Sequence, residues 1–192
     1  ALWRQIAETF KDYGERLLFE SYNEMLDSYN SWCYATFASP DRYDAAVATA
    51  AYAGINNYAK LFVETVRATG GNNAERNLVV NTYGACSGDG TWNDHLKDPL
   101  TNMQLPEPPG HIAVEVHSYW DSEKFSASQQ KEIDQLFTNL DTHLVRRLGV
   151  PVIIGECGGG VGEDTKLNVS FTRYLMSKGR EGGAAPLWGW GG

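Results

Sequence analysis

Apolar residues recur along the chain at two spacings, one typical of helices and the other typical of strands. The helical spacing predicts amphipathic helices at about 2–13, 41–67, 126–148 and 164–178. Short apolar runs between them predict strands at 17–19, 77–83, 112–119, 151–156 and 184–188. Because helices and strands alternate along the whole length, we expect parallel strands covered by helices.

Four of the five predicted strands end, on the carboxyl side, in residues with chemically active side chains. These are Asn23 with Glu24, the Asn-Thr-Tyr run at 81–83, His117 with Tyr119, and Glu156; Trp188 ends the fifth strand. Several strand ends build the site of a (β/α)8 barrel, whereas a doubly wound sheet binds its ligand at one switch point beside a glycine-rich loop. The run GECGGGVGED at 155–164 contains no GxGxxG register, so the pattern favours the barrel.

Length and charge narrow the class of protein. The chain has 192 residues, enough for one domain with a buried core, and no apolar run approaches the roughly 18 residues of a membrane span. The formal net charge of -8 disfavours nucleic acid and anionic membranes as partners but leaves a neutral substrate unaffected. Cys33, Cys86 and Cys157 are too few and too scattered for a disulfide framework or a zinc site, and their odd number leaves at least one free thiol.

Aromatic residues make up 12% of the chain, and many of them have polar neighbours. Aromatic side chains usually fill cores, but neighbouring Asn, Asp, Ser and Gly predict loops here. Aromatic faces rimmed by polar groups suit flat, hydroxylated ligands such as sugars. Trp92 and Trp120 lie on predicted loops at the same end of the barrel. Each could form an outer sugar subsite or pack locally, and the sequence favours neither role.

Two acids at the same end of the predicted barrel indicate a possible hydrolytic reaction. Glu24 and Glu156 lie past the ends of two strands that are far apart in the sequence. Such a pair can hydrolyse a glycosidic bond, because one acid protonates the leaving oxygen while the other attacks the anomeric carbon or activates water. Acids at strand ends are also common as structural groups, so the residues by themselves leave both interpretations open.

Three stretches resemble the signatures of glycoside hydrolase family 5. LLFESYNEML at 17–26 is similar to its apolar strand that runs into Asn-Glu, VEVHSYW at 114–120 to its His-x-Tyr strand, and PVIIGECG at 151–158 to its nucleophile strand. The chain departs from the family where Met25 replaces Pro or Val, where Cys157 replaces an aromatic residue, and where LWGWGG replaces Trp-Trp-Asp-Asn-Gly. The order of the motifs is that of barrel strands four, six, seven and eight.

The resemblance implies a retaining double displacement that uses two acids. Glu156 would be the nucleophile, and Glu24 would be the general acid and later the base. Asn23 would bind the 2-hydroxyl of the sugar as positive charge develops. In a retaining enzyme, the two carboxyl groups are expected about 5–5.5 Å apart.

The family resemblance also assigns three supporting residues. Tyr119 would donate a hydrogen bond to Glu156 and keep it ionised, and His117 would line the sugar site and help to hold Glu24. Trp188 would be the platform on which a sugar ring stacks. The resemblance implies no cofactor and no metal.

The substrate class follows from the resemblance only in part. The best match is a secreted or periplasmic bacterial endo-β-1,4-glucanase, a cellulase that binds β-glucan polysaccharides or oligosaccharides. Mannan, xyloglucan and mixed-linkage glucan stay open as substrates. The alternative from another class is a carbohydrate-binding relic that has lost hydrolysis, which the presence of both Glu24 and Glu156 disfavours.

The predicted fold is an α/β (β/α)8 TIM barrel of which residues 1–192, a single domain, supply only strands four to eight. A barrel of this kind typically needs about 250 residues. Three missing strands would leave two open sheet edges and an uncovered apolar core. We therefore expect a longer parent protein, a companion chain, or a dimer in which open edges pair.

From this incompleteness we predict that the isolated 192-residue chain shows little or no hydrolysis. The measurement is the release of reducing sugar from carboxymethylcellulose, with the molar mass determined in parallel by light scattering. Full activity from a monodisperse monomer would contradict the prediction.

Overall fold

A four-stranded parallel sheet is the central element of the computed structural model, which describes residues 1–25, 43–88, 94–120, 126–159 and 165–181. The strands lie in chain order and are β1 (Phe19–Glu20), β2 (Leu78–Cys86), β3 (Ile112–Trp120) and β4 (Val152–Gly159). Each strand pairs in parallel with the next. This is the arrangement of consecutive strands in a (β/α)8 barrel. The fifth predicted strand, at 184–188, lies outside the described residues.

Helices connect and cover the strands. They are α1 (Leu2–Phe10), α2 (Ala45–Arg67), α3 (Asp98–Thr101), α4 (Ala127–Leu140), which continues as a π-helical segment over Asp141–Arg146, and α5 (Thr165–Glu181). A short 3-10 helix covers Gly71–Ala74. In the described part of the chain, no helix has the length and apolar character that crossing a membrane requires.

The predicted start of the second helix near residue 41 is wrong. The helix begins at Ala45, because the extended backbone of Asp44 precedes it. The Asp44 carboxylate accepts hydrogen bonds from the backbone N–H groups of Ala46 and Val47, at 2.9 and 3.1 Å. This is an N-cap, in which a side chain satisfies amides that have no partner inside the helix.

The core consists of a main apolar layer between the sheet and the helices and a smaller cluster around Tyr52 and Tyr83. The sheet contributes alternate residues of β2, β3 and β4, and the helices contribute one stripe each, all of them buried. The stripes that were predicted from periodicity are confirmed for α2 and α4, where the members include Phe62, Val63 and Val66, and Ile133, Leu136 and Leu140. Val114 and Val116 face this layer from β3, so residues 115, 117 and 119 face the opposite side of the sheet.

The first helix contacts the core less than its pattern predicts. Leu2, Phe10 and Tyr13 are exposed. Contact with the core comes mainly through Trp3, whose ring packs against Phe19 and Phe62 with centroids 5.6 and 4.7 Å away. The helix therefore packs on the core through Trp3, Ile6 and Ala7.

Three strands extend beyond the predicted limits of 83, 119 and 156: β2 ends at Cys86, β3 at Trp120 and β4 at Gly159. The second strand continues past residue 83 to Cys86 through a β-bulge, where Gly84 and Ala85 have φ angles of 57° and 50° and the register with β3 shifts. The region 84–110, predicted as irregular, thus begins in a strand and contains α3. Cys86 is disulfide-bonded, and Cys157 is a half-buried free thiol, which confirms the prediction of at least one free thiol.

A buried arginine ties the first helix and strand to the sheet. Arg76 is 3% exposed, and its guanidinium donates to four backbone carbonyls of the α1–β1 connection at 2.8 to 3.2 Å, those of Phe10, Tyr13, Gly14 and Leu17. Its Nε donates to Asn73 Oδ1 at 2.6 Å. A guanidinium has five N–H donors, so it satisfies this set of carbonyls by itself.

Replacement of Arg76 by alanine should lower the free energy of unfolding by about 2–4 kcal/mol, because several buried carbonyls lose a charged donor. The measurement is a urea titration followed by circular dichroism. The matched control is Arg4→Ala, which removes an exposed arginine paired only with Glu8 one turn away and should change stability by less than about 0.5 kcal/mol. Equal losses in the two variants would contradict this role of Arg76.

Candidate active site

Backbone hydrogen bonds anchor the segment that carries Glu24. Ser21 N–H donates to the carbonyl of Val79 at 3.0 Å, and Gly84 N–H, in the bulge of β2, donates to the carbonyl of Met25 at 2.9 Å. The segment is therefore held to β2 on both sides of Glu24. The sequence motif alone indicates where the acid lies, and the bulge explains how it is kept there.

A reciprocal contact between Tyr22 and Asn81 strengthens this anchor. The Asn81 side-chain amide donates to the carbonyl of Tyr22 at 2.6 Å, and the hydroxyl of Tyr22 donates to the carbonyl of Asn81 at 3.0 Å. Asn81, Thr82 and Tyr83 are all buried. The sequence pattern groups these three with the chemically active strand ends, but in the structure they support the site from within the fold.

The register of β3 and β4 places the remaining residues. His117 pairs directly with Glu156 across the two strands, and Tyr119 pairs with Gly158. His117 and Tyr119 are two residues apart and therefore point to the same face of the sheet. His117 is 3% exposed, whereas Tyr119 is 53% exposed at the end of the strand.

His117 lies between the two predicted catalytic acids. Its Nδ1 is 2.8 Å from Glu24 Oε1 and 3.5 Å from Glu156 Oε2. One ligand atom from each of these three residues lies within 4.8 Å of the other two. The Tyr119 hydroxyl donates to Glu156 Oε2 at 2.5 Å. Residues from three different strands thus meet at one carboxyl edge of the sheet.

A third carboxylate lies on the other side of the imidazole. Glu115 is buried, and its Oε1 is 3.7 Å from His117 Nε2. The space it occupies is available because residue 155 is glycine: a Cβ there would lie 1.2 Å from Glu115 Oε1. Strand alternation places Glu115 on the face opposite the apolar residues of β3, but its contact with His117 and the space at Gly155 appear only in three dimensions.

The carboxylates control the protonation of His117. Burial lowers the pKa of the imidazole, but the neighbouring Glu115, Glu24 and Glu156 outweigh burial and raise the pKa from 6.5 to about 9. His117 is therefore protonated at neutral pH. Burial, followed by the hydrogen bond to Glu156 and its charge, raises the pKa of the Tyr119 hydroxyl, so this group stays a donor.

Glu20, the last residue of β1, has a shifted pKa as well. Partial burial and the neighbouring carboxyl of Glu115 raise the pKa of Glu20 from 4.5 to about 7, and the side chains of Asn81 and His117 oppose the shift. Glu20 is the other acid of the stretch LLFESYNEML that contains Glu24. It faces Glu115, while Glu24 is the acid that contacts His117 Nδ1.

The other predicted site residues are described to different extents. Asn23 is exposed beside Glu24. The backbone of Trp120 ends β3. Trp92 and Trp188 lie outside the described residues, so their predicted roles stay predictions.

The cluster of Glu24, His117 and Glu156 is close enough for its atoms to surround a metal ion. A protonated imidazole, however, has no free lone pair for a metal. Nδ1 is also already engaged with Glu24. The arrangement therefore fits a hydrogen-bonded pair of acids better than a metal centre.

Parallel strands with two acids and a histidine at their carboxyl ends define this chain as part of a (β/α)8 barrel of the glycoside hydrolase type. A family model described as "Cellulase (glycosyl hydrolase family 5)" matches residues 1–189, so the chain belongs to this family.

Curated relatives are endoglucanases. The chain is 34% identical over 171 residues to endoglucanase B of Neocallimastix patriciarum, a match that covers 82% of this chain and 31% of that protein. It is 33% identical over 177 residues to endoglucanase 1 of Ruminococcus albus, with 86% and 38% covered. The chain spans between about three tenths and two fifths of the length of these relatives.

Solved structures of the family have the same fold. A broad specificity endoglucanase (GH5-4) from an uncultured bacterium superposes with a TM-score of 0.87 at 47% identity, over 97% of this chain and 52% of that one. A family 5 enzyme from Prevotella bryantii, in complex with a xyloglucan tetradecasaccharide, superposes with a TM-score of 0.77 at 33% identity, over 97% and 53%. The chain thus corresponds to about half of each solved chain.

The raised pKa values predict that stability falls as the pH rises. Glu20 and His117 both bind more protons in the folded than in the unfolded state. The contribution of Glu20 is present below pH 4.5 and lost as the pH rises through about 7. That of His117 is present below pH 6.5 and lost as the pH rises through about 9. Urea titrations across this range should show the decline.

A His117→Gln variant is the matched control for this measurement. It should lose the decline between pH 6.5 and about 9, and keep the decline at lower pH. A wild-type free energy of unfolding that stays level or increases between these values would show that His117 does not carry the raised pKa.

Proposed function

We propose that this protein is a retaining endo-β-1,4-glucanase, which hydrolyses internal bonds of plant β-glucans by double displacement. The observation that carries the proposal is the pair of carboxylates on opposite sides of one site, with oxygen atoms of Glu24 and Glu156 no more than 4.8 Å apart. Retaining enzymes place the two groups about 5–5.5 Å apart, and inverting enzymes about 6.5–9.5 Å apart, to admit a water molecule.

In the first half of the reaction, Glu156 attacks the anomeric carbon while the bond to the leaving oxygen breaks. Glu24 gives its proton to that oxygen, so the shortened glucan leaves as an alcohol and Glu24 becomes a carboxylate. The product on the enzyme is a glycosyl ester of Glu156. The hydrogen bond from Tyr119 keeps the attacking carboxylate ionised and fixes its orientation.

In the second half, the roles of Glu24 reverse. Its carboxylate takes a proton from water as the water oxygen attacks the anomeric carbon, and the ester bond to Glu156 breaks. The sugar is released with its original anomeric configuration, and both acids return to their starting states.

Three further residues support these steps. The exposed side chain of Asn23, next to Glu24, would hydrogen-bond the 2-hydroxyl of the sugar, and His117 would hold Glu24 through Oε1 at 2.8 Å. Trp188 would provide the stacking platform on which a sugar ring lies. These assignments follow the family motif.

A β-1,4-linked glucan backbone is the substrate class that fits best. The relatives named above are endoglucanases. One family 5 neighbour at 30% identity, from a metagenomic library, is a xyloglucan-specific endo-β-1,4-glucanase solved with cellotriose, so branched and unbranched glucans both fit. Mannan fits as a second candidate, since a Prevotella bryantii neighbour is an endo-β-mannanase/endo-β-glucanase. A binding relic is disfavoured because both acids and His117 remain in hydrogen-bonded geometry.

The protein is proposed to work outside the cytoplasm, in a secreted or periplasmic location. The disulfide at Cys86 supports this proposal because disulfides persist mainly in oxidising compartments. In the described sheet, β1 and β4 each have one neighbouring strand. We propose that further strands, from the same chain, a companion chain or a second copy, complete the barrel at these edges.

The division of roles is testable with glutamine variants made in the protein at its full natural length. Glu156→Gln should abolish hydrolysis and formation of the glycosyl-enzyme on every substrate. Glu24→Gln should reduce the rate by about 10²–10⁴-fold on cellulose oligosaccharides, which need a general acid. It should spare the first step on an aryl β-cellobioside with a good leaving group, which leaves without protonation.

The measurements are burst kinetics on the activated glycoside and mass spectrometry of the trapped enzyme. Glu75→Gln, which removes an exposed acid, is the matched control and should keep the wild-type rate. Equal losses for Glu24→Gln and Glu156→Gln on activated and unactivated substrates would contradict these roles. Wild-type release of reducing sugar from carboxymethylcellulose, β-glucan, xyloglucan and glucomannan separates the candidate substrates, and no release from any of them would contradict the proposed function.

A further inference from the structure

We propose that Glu115 is a positioning residue of this site, which holds His117 by Nε2 from behind so that Nδ1 faces Glu24, and that Gly155 is required because it leaves the space for this carboxylate. The proposal rests on the proposed function for its catalytic meaning. Its central measurement, the titration of His117, does not depend on activity.

In the described part of the chain, the buried Glu115 carboxylate lies near two titratable side chains, the carboxyl of Glu20 and the imidazole of His117. The residue is 5% exposed, and among the described residues its Oε2 accepts no hydrogen bond. A buried carboxylate with incomplete hydrogen bonding is costly unless a cation compensates for it. In the part of the chain that the structure describes, the cation near it is His117, whose Nε2 is 3.7 Å from Oε1.

The fold reserves room for this carboxylate on the neighbouring strand. A Cβ at residue 155 would lie 1.2 Å from Glu115 Oε1, 2.3 Å from Cδ and 2.9 Å from Cγ. No side chain can therefore be accommodated at residue 155 while Glu115 keeps its position. Gly155, which leaves the space for the Glu115 carboxylate, directly precedes Glu156, the proposed nucleophile, on β4.

Three of the four described strands contribute titratable groups near His117, and β2 contributes the neutral Asn81. Glu20 faces Glu115 from β1, and Glu24 follows β1. From β3 and β4, the titratable groups are Glu115, Tyr119 and Glu156. Glu115 is the acid on the Nε2 side of the ring, whereas Glu24 and Glu156 are both near Nδ1.

This arrangement has a consequence for proton transfer. With Nε2–H directed at Glu115, the ring cannot turn over, and Nδ1–H donates to Glu24 Oε1 at 2.8 Å. The other oxygen, Oε2, is then the atom of Glu24 that carries the proton for the leaving group. Loss of the negative charge of Glu115 should deprotonate His117 at lower pH, release the ring, and let Glu24 rotate.

The experiment uses the protein at its full natural length and compares wild type with Glu115→Gln. The chain has four histidines, and the His117 signal in imidazole NMR spectra is the one missing from a His117→Gln variant. In wild type it should titrate near the pKa of about 9. In Glu115→Gln it should titrate at least about 1 pH unit lower, the effect of removing a nearby opposite charge.

Kinetics provide a second measurement, the pH dependence of kcat, which would not change if the role of Glu115 were merely structural. In Glu115→Gln, kcat should fall by about twofold or more near pH 8, because a pKa at least about 1 unit below the wild-type value of about 9 leaves at most about half of His117 protonated there. The deficit should be much smaller near pH 5, where His117 is protonated in both proteins. KM should change little, because Glu115 does not touch the substrate.

The Gly155→Ala variant tests whether Glu115 needs the space at residue 155, and it does so without removing the charge of Glu115. It keeps every acid but displaces Glu115, so His117 should again titrate at lower pH and kcat should again fall most at high pH. In the double variant Glu115→Ala/Gly155→Ala, the steric conflict is gone, so thermal stability should recover relative to Gly155→Ala while the pH profile stays shifted.

Two controls make the result decisive. Glu15→Gln removes an exposed acid before β1 and should not move the His117 titration. Glu20→Gln, at an exposed position of β1, keeps Glu115 and should lower the His117 pKa by less than Glu115→Gln does. The double variant Glu115→Ala/Gly155→Ala, which also lacks the Glu115 charge, serves if Glu115→Gln does not fold. An unchanged His117 titration in Glu115→Gln, or in the double variant if only that one folds, overturns the proposal. So does a loss of kcat that is equal at all pH values. Absence of hydrolysis in wild type would refute the proposed function but leave the titration test intact.

Discussion

The site depends on the register of two parallel strands, which pairs His117 on β3 with Glu156 on β4. Because all four described strands run in the same direction, their carboxyl ends meet at one edge, and residues from distant parts of the sequence become neighbours there. A shift of one residue would turn His117 to the helical side and remove the link between the two acids. The buried valines of β3 oppose such a shift, since it would move them out of the core.

Charge is the second organising feature, since three carboxyl groups, those of Glu24, Glu115 and Glu156, lie around one imidazole, and a fourth, that of Glu20, faces Glu115. The three carboxylates raise the pKa of His117, whereas partial burial, followed by Glu115, raises the pKa of Glu20. A cationic His117 offsets part of the repulsion between these acids and at the same time orients Glu24. Stability and catalysis are therefore coupled here: the arrangement that serves the proposed reaction should become less stable as the pH rises.

Much of the fold and part of the site are predictable from the sequence. Apolar periodicity correctly predicts the order of the long helices and the strands in the described residues, because burial on one face imposes the periods of 3.6 and 2 residues, but it does not predict the short helix α3. The family motifs correctly bring Glu24, His117, Tyr119 and Glu156 to one edge. Periodicity does not predict the extension of β2 to Cys86, because a bulge breaks the period, nor the exposure of Leu2 and Phe10, which depends on what lies opposite α1.

The sequence by itself determined the order of the strands, the alternation of faces along β3, and the motifs that carry the two acids, because these follow from local spacing and motif. Only the tertiary structure decided which groups touch: Asn81 with the backbone of Tyr22, Arg76 with the carbonyls before β1, and Glu115 with His117 across the space above Gly155. These contacts join residues on different strands or on opposite sides of one ring. Distances of this kind depend on register, twist and packing, which no local pattern specifies.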